Sequence, residues 1–246
     1  MLDRTRGSLI LSVECPPSAG GSAPLEGLET LDRLLSHYGL PATWAVAEPA
    51  AWRPALRTAP HEVAVLGDAS WASPQAGRAG FLKELERRIA PARAAGLEVS
   101  SLIVADGGPP DHCDLLYKLG LRSVRGAEPV AGCAARNLRF GLWELPAALR
   151  FPAAGWLASW RRARAARRMI AAGTSEQRPL HVALDGRLLA AGGVLMAQLL
   201  DSVLYAAAVQ RDQGTLQVQT MAGAAAALGR ATLGAASTSI LRPRAA

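Results

Sequence analysis

The sequence predicts an α/β protein in which seven or eight β-α units form a distorted (β/α) barrel. Short apolar runs alternate with longer segments of helical periodicity, which is the pattern of parallel strands joined by helices. The length of 246 residues is typical of a single barrel domain. Half of the residues are hydrophobic, which is enough to build a sizeable core and argues against disorder.

The predicted strands are short and mostly apolar. The first, SLILSVE at 8–14, is apolar enough to be buried on both faces of a sheet. Segments of the same character follow at 42–48, 62–68, 101–106, 122–126, 142–147, 180–185 and 215–220. Their spacing leaves room for a helix or a long connection between successive strands, as a parallel sheet requires.

The predicted helices lie between these strands. The first, LETLDRLLSHYG at 28–39, carries leucines at helical spacing and ends at a glycine. Pro91 is expected to kink the helix at 79–96. The remaining helical segments are 52–58, 112–120, an arginine-rich run beginning at Trp160, and the apolar segment 188–209.

The chain is expected to be one barrel domain over residues 1–228, followed by a flexible basic tail over 229–246. The segment 188–209 is long enough to cross a membrane, but Gln198 and Asp201 interrupt it and favour a buried core helix over a membrane span. The three cysteines have no CxxC spacing, and the apolar run near Met1 is too short for a signal peptide. We therefore expect a cytoplasmic protein.

The charge balance is basic. Lys and Arg number 27 against 20 Asp and Glu, giving a formal net charge of +7. Much of the excess lies between Arg161 and Arg168, which is either a solvated helix face or a surface that contacts phosphates or anionic lipid. No feature predicts specific nucleic-acid binding.

Acidic residues gather where the predicted strands end. In barrels of this kind the functional face lies at the carboxyl ends of the strands. The ends here contain Glu14, Cys15, Glu48, Asp68, Asp106 and Asp185. Aspartate is also common in this position because it caps the following turn or helix, so both interpretations remain open.

Other side chains near the same edge suggest a ligand groove. Trp71 follows Asp68 and could stack on a sugar ring, although an aromatic in this position can equally be a buried anchor. Asp106 and His112 are further candidate substrate-binding residues. His181 comes early in its strand and is expected in the core or against a helix.

Six phrases of the chain resemble the polysaccharide deacetylase family, the NodB-like carbohydrate esterases, in the family's order. The resemblance covers residues 8–228. The phrases are LSHYGLPATWAVAE, HEVAVLGDAS, DHCDLLYKLGLRSVRG, GLWELPAAL, PLHVALDGRLL and LDSVLYAAAVQRDQGTLQVQTM. The resemblance implies a distorted barrel that binds a divalent metal and removes acetyl groups from sugars.

In the family an aspartate and two histidines hold the metal, a second aspartate acts as base on the metal-bound water, and a late histidine acts as acid. The resemblance places the aspartate pair on Glu14 and Cys15. It places the two metal histidines on Leu66 and Ser70, the arginine that orients the base near Gly107, and the acid on Asp185. The chemical positions have changed while the phrases around them are retained.

These changes predict a degenerate member of the family, a pseudoenzyme without metal or other cofactor. Leu66 has no lone pair to donate, and a serine hydroxyl is a poor zinc ligand. The predicted role is binding of a carbohydrate or a partner protein, with Glu14 and Asp185 as the residual catalytic positions. The alternative is an active hydrolase of acetylated sugars whose divalent metal is held by a rewired acidic site of Glu14, Cys15 and Asp68.

Overall fold

The computed structural model describes residues 6–15, 25–49, 61–105, 107–126, 134–172 and 179–238. Within these ranges the strands are β1 Gly7–Cys15, β2 Thr43–Val46, β3 Glu62–Gly67, β4 Val99–Val104, β5 Ser123–Arg125, β6 Arg136–Asn137, β7 Trp143–Glu144, β8 Leu149–Phe151, β9 Leu180–Asp185 and β10 Leu216–Gln219. The helices are α1 Leu25–His37, α2 Arg78–Ala94, α3 Cys113–Lys118, α4 Trp156–Ala171, α5 Gly186–Ala191, α6 Gly193–Asp212 and α7 Met221–Thr238. The predicted helix at 52–58 lies outside the described residues.

The strands form one curled sheet around β1. Their order is β6-β7-β5-β4-β3-β2-β1-β9-β8, and all pairs are parallel except β6 with β7. The amino-terminal half of β1 pairs with β10, and its carboxyl-terminal half pairs with β2. Strand β1 therefore pairs with three strands: β9 along one edge, and β10 and β2 along the other. The sheet is curled into a half-barrel, and this confirms the predicted fold class.

Side chains alternate between the two faces of β1, as strand geometry requires. Leu9, Leu11 and Val13 are fully buried and pack outward, in the cluster that contains α1, α4 and α6. Ile10 faces the inside of the curl, where it packs with Leu66. The alternation places the polar residues Ser12 and Glu14 on the inner face as well.

Helix α7 packs into the concave side of the sheet. Met221 and Ala224 join the inner apolar cluster. At the amino end of α7, the Ala222 N–H donates to the Glu62 carboxylate at 2.9 Å, and the Met221 N–H donates to Thr43 Oγ1 at 2.8 Å. Side chains from two strands thus cap the first turn of the helix, whose N–H groups have no partner within the helix.

The end of the chain differs from the sequence-based prediction. Helix α7 continues to Thr238, past the expected domain boundary at residue 228, so the first part of the predicted tail at 229–246 is helical instead. Alanine and leucine, which have high helix propensity, alternate with Gly, Ser and Thr in this segment, so the composition alone does not mark where the helix ends. Residues 239–246 lie outside the described part of the chain.

The apolar segment 188–209 is two helices instead of one. Helix α5 ends before Gly192, and α6 begins at Gly193, whose positive φ of 57° breaks the helical path. Among the described residues, α6 alone is long and apolar enough to cross a membrane, and one third of its most apolar window is buried in the protein. A helix that packs on the core of a soluble protein meets the same criterion.

Candidate active site

The inner face of the sheet carries a buried ion-pair cluster at the predicted mouth. Glu14, on β1, accepts hydrogen bonds on both carboxylate oxygens: Arg125 Nη2 binds Oε1, and Arg150 Nη2 binds Oε2. The side chains of Glu14 and Arg125 are only 4% and 1% exposed, while Arg150 is 28% exposed. Short strands position both arginines, since Arg125 ends β5 and Arg150 lies in β8.

A chain of hydrogen bonds continues from this cluster into the protein. Arg125 Nη1 donates to Ser12 Oγ at 3.1 Å, and Ser12 Oγ lies 2.8 Å from His181 Nε2. His181 Nδ1 lies 2.9 Å from the Leu145 carbonyl oxygen. Because a carbonyl only accepts, Nδ1 carries the proton and Nε2 accepts from the Ser12 hydroxyl. His181 therefore sits in this network as a neutral imidazole.

The electrostatics of the cluster favour that state. Burial and then the charge of Arg125 lower the pKa of His181 from its ordinary value to about 3. Burial also lowers the pKa of Arg125, and the Glu14 carboxylate opposes that lowering. Two guanidinium groups face one carboxylate, so the three side chains together carry an excess positive charge. A cation placed beside Glu14 would be repelled by both arginines.

Asp185 lies beside Glu14, because the two residues are paired in the register of β9 and β1. The Asp185 carboxylate accepts a hydrogen bond from the Leu188 N–H at 3.0 Å and caps α5. The structure therefore brings the two predicted catalytic carboxylates to neighbouring strand positions. Each carboxylate already has a structural partner.

No family model matches the sequence, and no curated protein sequence matches it either. Solved structures do match: peptidoglycan deacetylase PdaC from Bacillus subtilis superimposes with a TM-score of 0.56 at 11% identity, and a mutant of the same protein with 0.57 at 12%. Each match covers 98% of this chain and 100% of the other.

The chain has the polysaccharide deacetylase fold. The resemblance predicted from the six phrases is confirmed at the level of the fold by these structures. At this identity the match concerns the fold alone, so the chemistry has to be judged from the side chains present.

The metal that a polysaccharide deacetylase fold implies does not fit the residues present. Leu66 is 5% exposed and packs in the inner apolar cluster. The backbone N–H and the hydroxyl of Ser70 both donate hydrogen bonds to the Asp68 carboxylate. Both oxygens of Glu14 are paired with arginine. Within the described ranges, no three His, Cys, Asp or Glu side chains are grouped in a way that could hold a metal ion.

Cys15 does not complete the alternative ligand set. As the next residue on β1 it points away from Glu14 and packs in the outer cluster. Burial, followed by the charges of Glu14 and Asp185, raises the pKa of the Cys15 thiol. Among the described residues, Glu14, Cys15 and Asp68 are not grouped in a way that could hold a metal ion, so the alternative ligand set is not assembled.

Trp71, the residue predicted to stack on a sugar ring, is buried in the layer between the sheet and α2. Trp71 is 6% exposed and stacks on Phe81 of α2 at a centroid distance of 5.9 Å, with Arg88 4.7 Å from its ring. It packs in the cluster between the sheet and α2, so the structure gives no support to the prediction that Trp71 stacks on a sugar. The backbone N–H of Trp71 donates to the Asp68 carbonyl oxygen and closes a turn, after which the ring packs onto the helix.

His112 belongs to the same outer layer. Its Nε2 bonds to the Ala76 carbonyl at 2.9 Å, and its ring lies 5.3 Å from Phe81. Trp71, Phe81 and His112 therefore form a structural contact, and the structure does not support the substrate-binding prediction for His112. Asp106, the third predicted ligand contact, lies outside the described residues.

The sequence interpretation missed the residues that hold Glu14. The resemblance placed the orienting arginine near Gly107, whereas Arg125 pairs with Glu14 in the structure. A signal is present in the sequence, because Arg125 ends the short predicted strand in the phrase RSVRG, and a buried arginine needs a partner. Arg150 and Ser12 carried no comparable signal.

Proposed function

We propose that this chain is a polysaccharide-deacetylase-like protein that does not hydrolyse acetyl groups through a bound metal and acts instead by binding a carbohydrate or a partner protein. The observation that supports this best is the pairing of both Glu14 oxygens with Arg125 and Arg150. Activation of water by a metal needs a carboxylate that is free to ligate the ion or to accept a proton.

The charge of the mouth favours an acidic ligand. Arg150 reaches Glu14 from the partly exposed side of the cluster, and the cluster has one positive charge more than negative charge. Guanidinium groups bind carboxylates and phosphates through paired hydrogen bonds. An acidic sugar, or an acidic segment of a partner protein, would therefore suit this surface better than a neutral glycan.

Acetate release tests the catalytic part of the proposal. Purified protein is incubated with N-acetylated peptidoglycan fragments and with chitooligosaccharides, with and without added Zn²⁺ or Mn²⁺. We expect no release above that of the Asp185→Asn and Glu14→Gln variants, after circular dichroism has shown that each is folded. Release by the wild-type protein that disappears in both variants would contradict the proposal and support the rewired hydrolase.

Glycan retention tests the binding part. The same peptidoglycan fragments, which contain carboxylates, should bind more tightly than neutral chitooligosaccharides, and Arg150→Gln should weaken that preference. Equal affinity for both glycans, or a preference that Arg150→Gln does not change, would mean that the mouth does not select an acidic ligand.

A further inference from the structure

Large apolar side chains are exposed at one rim of the fold. In the described part of the chain, most of the exposed large hydrophobic residues lie in the first turns of α4 or near the start of α5 and α6. Val194 is 73% exposed, Leu195 57% and Leu157 56%. The others are Trp156, Trp160 and Leu188. Single exposed apolar residues are normal on protein surfaces, but a group of this kind indicates a contact surface.

Topology places these residues at the same end of the molecule. Strands β8 and β9 are parallel neighbours, and α4 and α5 follow their carboxyl ends. Helix α6 starts next to α5 and returns to β10, which pairs in parallel with the start of β1. Hence α4 and α6 both begin at the mouth and run side by side, and their carboxyl-terminal halves line one groove.

The outer face of α4 continues this rim with positive charge. Leu157, Arg161, Arg164 and Arg168 recur at intervals of three and four residues, so they share one face of the helix. The opposite face is the buried one, with Ser159, Ala163, Ala166 and Ile170. All five arginines of α4 are exposed, and the helix contains no acidic residue. Apolar side chains thus stand at the rim, with arginines in the following turns.

We propose that this rim, defined as Trp156, Leu157, Trp160, Leu188, Val194 and Leu195 with the arginine face of α4, docks on an anionic lipid surface. Tryptophan and aliphatic side chains enter the boundary between headgroups and acyl chains, while arginine side chains bind lipid phosphates. This surface is separate from the Glu14 cluster, and it works whether or not the mouth binds a glycan.

Two other occupants fit the rim less well. Nucleic acid would use the arginines but leaves Leu157, Val194 and Leu195 without a function, since phosphate backbones offer no apolar surface. A second copy of the chain placed by two-fold symmetry would bring the arginine faces of two α4 helices together, and like charges oppose such an interface.

Vesicle sedimentation tests the proposal directly. The protein should bind vesicles that contain phosphatidylglycerol and bind vesicles of phosphatidylcholine alone much more weakly. Each arginine near an anionic membrane contributes about fivefold in binding, so Arg161→Gln/Arg164→Gln/Arg168→Gln should lose about a hundredfold. The matched control Arg33→Gln/Arg139→Gln/Arg230→Gln removes the same charge from exposed residues elsewhere and should lose far less.

Tryptophan fluorescence separates insertion from simple adsorption. Emission should shift to shorter wavelength on anionic vesicles, and brominated lipids should quench it. Trp156→Phe/Trp160→Phe should abolish both effects, while Leu157→Ser/Val194→Ser/Leu195→Ser should weaken binding by about tenfold or more. These residues are exposed, so the variants should fold with wild-type circular dichroism.

The proposal is overturned if the wild-type protein does not bind anionic vesicles at low salt, or if the control triple variant loses as much binding as the α4 variant. It is also overturned if the apolar substitutions leave vesicle binding unchanged. If the apolar substitutions leave vesicle binding unchanged and the protein is also retained on a nucleic-acid column, the arginine face is assigned to nucleic-acid binding. If the protein dimerises in the absence of lipid and the apolar substitutions abolish the dimer, the rim is assigned to contact with a second copy of the chain.

Discussion

The Glu14→Gln variant is expected to unfold with a free energy about 3–5 kcal/mol lower than that of the wild-type protein. The substitution removes the negative charge that both Arg125 and Arg150 contact and leaves two guanidinium groups in a largely buried site. Arg125 cannot move into water because its side chain is 1% exposed, whereas Arg150 is 28% exposed and is partly solvated. Urea unfolding followed by circular dichroism measures the difference.

The Glu29→Gln variant is the matched control, since it makes the same chemical change on the exposed surface of α1 and should stay within about 0.5 kcal/mol of the wild type. Arg150→Gln should fall between the two because that arginine is partly exposed. If Glu14 were retained for catalysis, its replacement by glutamine would leave the free energy of unfolding unchanged or raise it, since active-site residues commonly reduce stability. Unchanged or increased stability in Glu14→Gln would therefore contradict a structural role.

Acid should destabilise the protein through His181. The pKa of His181 is about 3 in the folded chain and about 6.5 when unfolded. Between these values the unfolded chain takes up a proton that the folded chain does not, so stability falls as the pH falls below about 6.5. One such group contributes up to about 1.4 kcal/mol per pH unit, or about 3 kcal/mol between pH 6.5 and pH 4.

Unfolding free energies of wild type and His181→Gln at pH 6.5 and pH 4 measure this contribution. Glutamine can still donate to Leu145 and accept from Ser12, but it does not titrate. The variant should lose about 3 kcal/mol less than the wild type over this range. His37→Gln, which removes an exposed histidine, should behave like the wild type. Equal pH dependence in wild type and His181→Gln would show that His181 does not resist protonation.

The sequence predicted the fold because its signal is local. Buried parallel strands and the helices between them leave apolar runs and helical spacing that can be read without knowing their partners, and β1, β3 and β9 lie within two residues of their predicted bounds. Helix α6 shows the limit of this reading. The start at Gly193 depends on one backbone angle at a glycine pair within an apolar segment.

The site was less predictable because its partners are distant in sequence. The sequence places Glu14 and Asp185 at strand ends, and the sheet register makes them neighbours. Arg125 and Arg150 reach Glu14 from positions 111 and 136 residues away, and no periodicity connects them. The position of Trp71 just after a strand end predicts that it lies at the mouth. A turn closed by the Asp68 carbonyl sends it to the other layer.

The metal content of the purified protein tests most directly whether Glu14 is held by arginines instead of serving a cation. The protein is prepared without chelator, incubated with Zn²⁺ or Mn²⁺, desalted and analysed by elemental mass spectrometry. A known zinc protein carried through the same steps is the positive control. We predict far less than one ion per chain, with no difference between wild type, Glu14→Gln and Asp68→Asn. About one ion per chain that either substitution removes would contradict this.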